Sequence, residues 1–584
     1  MNKKIELNGS KFPQFERGFI ESPEIFAVFG KGSVGGKGSG LIFVNELLKQ
    51  KIDHNKYPGI EIGVPKFGVI ASDFFDSFME RNNLYEIALS GYSDEIIAGK
   101  FIEASLPVEI IGDLREVAEK LHKPLSIRSS SMLEDSKDEP FAGIYATKMI
   151  PNNQTSPDER FHKLIDAIKF IYASTFFKAA KDYFSGIESK IENEKMSVII
   201  QDVAGFKHGQ RFYPNFSGVA RSYNFYPLGK AKPEDGVVSL ALGLGKTIVD
   251  GGVSWNYSPK FPKKSYPFAG VDDILNNTQT KFWAITLDRI PEYDPVNEIE
   301  FLVNPNLSEA EDDCTLNYIA STYNVDSQKI NMGIGFPGPR VLNFSQLLCL
   351  NEFKFNDLLN ELLSVCEEML ENPVEIEFAV NINTENKKAY FSCLQVRPMV
   401  VSHEKVEITD KEFSSDRNII SSNKVLGNGT NKTIKNIVFV KPDSFDKKYS
   451  SNIPKEIEII NKELLTKKEP YLLIGFGRWG SSDPWLGIPI NWGQISGAKV
   501  IVESTLPGMN VELSQGSHFF HNLTSFTVLY FSLHHELDNK IDYGWINKNS
   551  VVRDLQFVKH VKLNSSLTVK VDGTSGKGII LRNN

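Results

Sequence analysis

Cysteine is nearly absent: Cys314, Cys349, Cys366 and Cys393 are the only four among 584 residues. None is paired in a CxxC spacing, which excludes a zinc knuckle and a disulfide framework and leaves four buried thiols as the expectation. Long apolar runs are missing as well. No stretch of about 18 apolar residues occurs, so a membrane-spanning helix is excluded. The first residues, Met1-Asn2-Lys3-Lys4-Ile5-Glu6-Leu7-Asn8, lack the apolar core of a signal peptide. The expectation is a cytoplasmic protein with no membrane partner. Positive charge is in deficit too, 65 Lys and Arg against 73 Asp and Glu, for a net charge of −8. That balance excludes a general nucleic-acid binder, whose affinity comes from neutralised phosphates, but it allows a local basic pocket for one nucleotide. What remains, 41% hydrophobic and 24% charged, is an ordinary globular composition. At roughly 100–200 residues per domain, the chain is long enough for three or four units.

Glycine, in contrast, is concentrated. The stretch Gly30-Lys31-Gly32-Ser33-Val34-Gly35-Gly36-Lys37-Gly38-Ser39-Gly40 precedes apolar residues at helical spacing from Leu41 to Leu48, which predicts a loop that ends where a helix begins. Such a loop suits an anion: glycines let backbone approach a phosphate, the first free N–H groups of the helix point at it, and a lysine adds a full charge. It is not a P-loop, because Gly38 rather than Ser or Thr follows Lys37. A flexible connection without a ligand is the alternative reading.

Further along, Ser72 is the expected N-cap of a helix over 73–81, and a helix over 113–122 leads into Leu125-Ser126-Ile127-Arg128-Ser129-Ser130-Ser131. There an alternating strand delivers an arginine and three hydroxyls into a loop that continues through Glu134 and Asp135 to Phe141-Ala142-Gly143; a capped surface loop is the alternative. One or two helices are predicted over 158–184, and strands over 196–203 and 237–242. Residues 300–350 read as an insertion or linker. A helix over 356–370 precedes a hairpin of 374–380 and 389–398. Period two puts Glu375 and Glu377 on one strand face, and Gln395 and Arg397 on one face of the next. Such a set suits a magnesium–phosphate complex, since Mg²⁺ prefers oxygen ligands and arginine grips phosphate in a fork. A solvated face with a cross-strand ion pair is the other reading.

The ordered set Gly35-Gly36-Lys37-Gly38, Ile127-Arg128-Ser129-Ser130 with Glu134-Asp135 and Phe141-Ala142-Gly143, Ser217-Gly218-Val219, Gly243-Leu244-Gly245, Glu375-Ile376-Glu377 and Leu394-Gln395-Val396-Arg397-Pro398 resembles the nucleotide-binding domain of phosphoenolpyruvate synthase and pyruvate phosphate dikinase over about residues 25–400. The resemblance implies an α+β or α/β chain with an ATP-grasp fold, ATP lying between two lobes. Those lobes would cover 1–215 and 216–400, with the insertion at about 300–350 in the second, followed by a smaller mixed α/β module over 401–584. It implies ATP and Mg²⁺ as cofactors. Gly35, Gly36, Lys37, Arg128 and Arg397 would meet the nucleotide, with Arg128 and Arg397 acting on its phosphates, and Glu377 and Gln395 would hold the metal. The chain departs from the family where Ala220-Arg221-Ser222-Tyr223-Asn224 replaces a Phe-Thr-x-Asp-Pro type stretch, and where Lys246 replaces an acid after Gly-Leu-Gly.

The family enzymes continue into a swivelling domain with a phosphohistidine loop and then a pyruvate-binding barrel. Residues 401–584 are too few for both and contain no such loop, so this chain alone is not expected to interconvert pyruvate and phosphoenolpyruvate. They carry instead Ile474-Gly475-Phe476-Gly477-Arg478-Trp479-Gly480-Ser481-Ser482-Asp483-Pro484-Trp485 and Ser514-Gln515-Gly516-Ser517-His518-Phe519-Phe520-His521. Arg478, Ser481 and Ser482 are candidate anion contacts, with an aromatic-packed turn as the alternative. His518 and His521, three apart at an expected helix start, are a candidate metal pair, or His518 is a candidate phosphoryl carrier; structural histidines are the alternative. Three functions fit: a Mg-dependent phosphotransferase acting on an unidentified acceptor, a non-catalytic ATP- or AMP-responsive module, and the nucleotide-binding subunit of a split dikinase whose acceptor is a separate histidine-domain protein.

Overall fold

The computed structural model describes residues 12–583 apart from 135–142, 185–189, 226, 228, 229, 264–269, 291, 292, 400, 402, 403, 405, 482–484, 508, 510–522, 524, 525, 536–540 and 574. Mixed α/β structure fills it. The first sheet has the order β1 (Phe26–Phe29), β3 (Phe67–Ile70), β6 (Met196–Asp202), β4 (Leu125–Ser131) and β5 (Thr147–Ile150). β1 and β3 run parallel and the remaining neighbours antiparallel. The apolar run of β6 takes the centre because both its faces are covered, leaving Met196 to Gln201 buried. A second sheet has the order β9 (Trp255–Tyr257), β8 (Val237–Leu242), β7 (Phe216–Arg221), β10 (Val374–Asn383), β11 (Lys388–Pro398) and β2 (Ile60–Gly63). β2 pairs parallel to β11, so a strand from early in the chain closes the edge of a sheet built mostly from residues after 215.

Helix α1 (Gly35–Lys51) packs on both sheets, against β4 and β11. It begins six residues earlier than the periodicity from Leu41 predicts. Its glycines belong to its first turns because other backbone passes too close for side chains: a Cβ on Gly35 would lie 1.9 Å from the Ser130 carbonyl oxygen, and one on Gly36 would lie 1.6 Å from that of Glu134. Ser72 is likewise the first helical residue of α2 (Ser72–Arg81) and not its cap; its hydroxyl accepts from the Ser33 amide at 3.0 Å and so holds the loop before α1. The run over 158–184 forms two helices, α3 (Pro157–Ser174), capped by Ser156 accepting from the Glu159 amide, and α4 (Lys178–Phe184). Residues 300–350 are not a linker. They form helix Leu307–Asp312 and a three-stranded sheet of Ala320–Asn324, Lys329–Met332 and Arg340–Leu342, with Arg340 paired to Glu311 at 2.6 Å. α5 (Phe355–Leu370) buries Leu358, Leu359, Leu362, Leu363 and Cys366, the i, i+4 stripe its sequence presents. Of the four thiols, only Cys366 and Cys393 are buried; Cys349 is half-buried, and Cys314 is exposed just past the end of a helix, with φ at 58°.

Beyond residue 400 a parallel core of β12 (Asn436–Val440), β13 (Tyr471–Phe476), β14 (Ala498–Ser504) and β15 (Leu529–Leu533) lies in a seven-stranded sheet, with β16 (Val558–Lys562) antiparallel beside β12. α6 (Ile453–Thr466) makes the crossover from β12 to β13. One continuous hydrophobic cluster joins α4 of the N-terminal part (Ala180, Tyr183, Phe184) to α6, Trp492 and Tyr530. Among the described residues no helix is long and apolar enough to cross a membrane.

Candidate functional site

Strand alternation aims the polar residues of both sheets into one space. On β4 the inward side chains are Ser126 and Arg128, on β5 Thr147 and Met149, on β10 Glu377 and Ala379, on β11 Gln395 and Arg397, each pair two residues apart. With Lys37 from α1, Gln201 and Asp202 from β6 and Ser217 from β7 they line a cleft of about 390 Å³. Thus Lys37, Arg128, Glu377, Gln395 and Arg397, five residues from four separate stretches of sequence, share one cavity wall. Gly35 and Gly36 are not on that wall; they bring α1 against β4 and thereby set where Lys37 starts.

Lys37 Nζ is paired to Glu134 Oε1 at 2.7 Å and donates to Ser129 Oγ at 3.2 Å. Arg128 ties the sheets together: Nη1 donates to the Leu394 carbonyl at 2.9 Å and Nη2 to Gln395 Oε1 at 2.8 Å. Glu377 faces Gln395 in register and sits 3.9 Å from both Arg128 and Arg397. At that distance it is in their field, yet it accepts no hydrogen bond from the described residues. Glu375 behaves differently although it shares the strand face. It is 2% exposed; Oε2 accepts from Arg221 Nε at 2.6 Å, and Oε1 accepts from Arg397 Nε at 2.7 Å and from Arg397 Nη2. The cross-strand ion pair and the cleft-facing acid therefore both occur, on neighbouring inward positions.

The far wall was not legible in the sequence. Lys148, on β5 but pointing away from the cleft, is 2% exposed and donates to the carbonyls of Pro295 and Asn297, each at 2.8 Å, while pairing with Glu300 at 3.1 Å. Burial holds its ammonium below the usual lysine value, against the opposing pull of Glu300. Glu298 Oε1 accepts from the Thr147 amide at 2.9 Å. These contacts press residues 294–300 onto β5, so that Glu298, Ile299 and Leu302 complete the cleft. A lysine between Thr147 and Met149 in an otherwise uncharged strand is the one local signal of this anchor. Glu194, 6% exposed near Glu134, has its carboxyl raised to about 7, chiefly by burial. Lys246 joins the wall in an ion pair with Asp250 at 3.0 Å.

Arg478 Nη1 donates to the Gly251 carbonyl at 2.9 Å, next to Asp250 of the cleft wall. Trp479 is a core residue, 1% exposed, with Nε1 donating to the Val502 carbonyl at 3.1 Å. Ser481 is buried at 3%. Ser482, Asp483, Pro484, His518 and His521 lie outside the described residues, as do Asp135, Phe141 and Ala142. No group of three or more His, Cys, Asp or Glu converges among the described residues. Glu377 and Gln395 stand opposite each other in register and both line the cleft, Gln395 Oε1 already accepting from Arg128 Nη2; two such oxygen-bearing side chains fit the kind of Mg²⁺ site that uses one or two protein oxygens and takes the rest from phosphate and water.

The wall of this cleft between two sheets carries a lysine near a helix start and two arginines, side chains of the kind that engage phosphate. Comparison with protein families agrees: the model of the pyruvate phosphate dikinase AMP/ATP-binding domain matches residues 31–417. The match covers more than half of the chain, which therefore belongs to this nucleotide-binding family. A comparison with curated proteins found no match.

Proposed function

We propose that the chain binds ATP with Mg²⁺ in this cleft, in a two-lobed ATP-grasp arrangement, and transfers a phosphoryl group to an acceptor. The observation that carries the reading is the convergence of Lys37, Arg128, Glu377, Gln395 and Arg397 on one cavity. Phosphoryl transfer needs little covalent chemistry from the protein; it needs the chain held in line and its charge neutralised. Lys37, Arg128 and Arg397 supply the neutralisation and Met149, Val203 and Ala204 an apolar bed for the base. Glu377 and Gln395 would hold the metal, which when bound draws charge from the phosphate oxygens. Membership of a dikinase family supports a transferase. The acceptor would approach from the side where Arg478 meets Gly251.

The same Arg478 contact supports a second reading, a nucleotide-responsive module in which cleft closure is passed to the segment beyond residue 400. Incubation of the pure chain with ATP and Mg²⁺ separates the two. AMP or ADP appearing with turnover supports transfer; ATP binding without any product supports the responsive module. Calorimetry with neither heat nor thermal shift overturns both.

A further inference from the structure

We propose that residues 293–300 are a clasp over the β5 side of the cleft, fastened by Lys148, and that its release sets the rate of nucleotide exchange. The inference rests on the nucleotide reading above, and its two main fastenings, Lys148 and Tyr293, do not themselves line the cleft.

The segment springs from one sheet and is bonded to another. Strands Ala284–Thr286 and Leu302–Val303 pair antiparallel, and the first of them pairs with Arg211–Tyr213, in a sheet that does not contain β5. The Thr286 amide donates to the Phe301 carbonyl at 2.9 Å, so the chain leaves this sheet and rejoins it at one point. Residues 293–300 lie instead on the first sheet and its helix α3. Glu298 accepts from the amide of Thr147 on β5, the edge strand. Lys148 directs its ammonium at the carbonyls of Pro295 and Asn297, 2.8 Å away, and at the Glu300 carboxylate, 3.1 Å away. Tyr293 donates its hydroxyl to Asp166 of α3 at 2.9 Å, and Lys163 of the same helix stands 4.4 Å from the Tyr293 ring centre.

These fastenings are polar. No apolar side chain from Tyr293 to Ile299 is buried, and Tyr293 and Ile299 are 40% and 43% exposed. The two ends, in contrast, are rooted in the core, with Ala284, Ile285 and Phe301 at 0%, 0% and 1%. Hydrogen bonds and ion pairs exchange for water at small net cost, whereas buried apolar contacts do not. The segment can therefore lift from β5 while its roots stay in place, the behaviour of a region with few buried apolar contacts. A lysine suits the anchor position because its ammonium is satisfied in both states, by carbonyls and a carboxylate when the clasp is down and by water when it is up. Glu298 and Ile299 line the cleft and move with the segment, so lifting opens the cavity beside Thr147 and Met149.

Because Lys148 and Tyr293 lie outside the cavity, a change in nucleotide kinetics on altering them is not a lost ligand contact. Surface plasmon resonance of Mg·ATP over the immobilised full chain reads association and release separately. Lys148→Met should release Mg·ATP about tenfold faster or more, with association at least as fast as in the unaltered chain, since a loosened clasp eases passage in both directions. Tyr293→Phe removes one exposed fastening, should fold in any case, and should speed release about two- to threefold. Unchanged release in Tyr293→Phe and in folded Lys148→Met, or slower association in either, overturns the proposal. Hydrogen exchange gives a readout that needs no nucleotide: the Thr147 amide, covered by Glu298, should exchange about tenfold faster or more in Lys148→Met, and about two- to threefold faster in Tyr293→Phe. Equal exchange in the variants and the unaltered chain means that neither residue fastens the segment. Absence of Mg·ATP binding to the unaltered chain overturns the nucleotide reading itself, whereas binding with indifferent variants overturns the clasp alone.

Discussion

A single charged contact carries measurable weight in this cleft because its walls are largely sheltered from water. Lys37→Ala and Arg128→Ala each remove a hydrogen-bonding cation, a loss of roughly 1.5–3 kcal/mol. Either should weaken ATP about tenfold or more by calorimetry, and unchanged binding would assign Lys37 to its ion pair with Glu134 and Arg128 to its hydrogen bonds with Gln395 and the Leu394 carbonyl instead. Glu194 makes a different kind of prediction. Burial foremost, with Glu134 adding to it, raises the carboxyl from 4.5 to about 7. Between those values the folded chain holds a proton that the unfolded chain has released. The associated stability is therefore complete below about pH 4.5 and is lost as pH rises through 7, an effect on the order of 3 kcal/mol. Glu194→Gln stays neutral throughout, so its urea-denaturation stability relative to wild type should rise between pH 5 and pH 8. A constant offset between the two proteins at both pH values would place the shift elsewhere. Arg128, Glu377, Gln395 and Arg397 were legible in the sequence because strand alternation is a local rule. Glu194 and Lys148 were not, since their burial depends on segments far away in the chain.

At the scale of elements, the hairpin of β10 and β11 matches its sequence pattern, which period two and a polar turn define without tertiary help. The loop read over Gly30–Gly40 holds only as far as Val34, and the helix that takes the rest from Gly35 escaped the sequence for an equally physical reason. Glycine lowers helix propensity, so a helix whose first turns are glycines has no local signature; what selects it is the backbone of β4 and of Glu134 lying against it. Those contacts predict a sharp intolerance. Gly36→Ala puts a methyl 1.6 Å from the Glu134 carbonyl oxygen and must displace α1 or the segment after β4. Overpacking of this kind costs typically 1–3 kcal/mol, and here it also moves the partner of Lys37. Differential scanning calorimetry should register a lower Tm together with weaker ATP binding. Gly99→Ala is the control, because nothing lies within 4 Å of an added Cβ there. Equal behaviour of the two variants would sink the close-approach argument.

For the molecule as a whole, the resemblance set a boundary near residue 400 but implied nothing of how the following segment attaches. The seam consists of long-range contacts that leave no local trace. Lys178 of α4 pairs with Glu458 of α6 at 2.7 Å. Trp492 stacks on Phe526 with ring centres 5.1 Å apart and planes 7° from parallel, and Phe526 in turn meets Tyr183 of α4. Burial of Glu458 is outweighed by its bonds from Gln494, Lys178 and Lys462, which hold its carboxyl down to about 2. Because the apolar cluster runs through this seam without a break, the two parts should unfold together. Trp492 is 6% exposed, and truncating a buried tryptophan typically removes 3–5 kcal/mol. Calorimetry of the unaltered chain should therefore give one transition, which saturating ATP moves upward as a unit. Trp492→Ala should either lower that single transition by several degrees or split it, with the ATP-responsive component separating from the rest. Two transitions in the unaltered chain, only one of them moved by ATP, would mean that the seam transmits nothing from the cleft to the segment beyond residue 400.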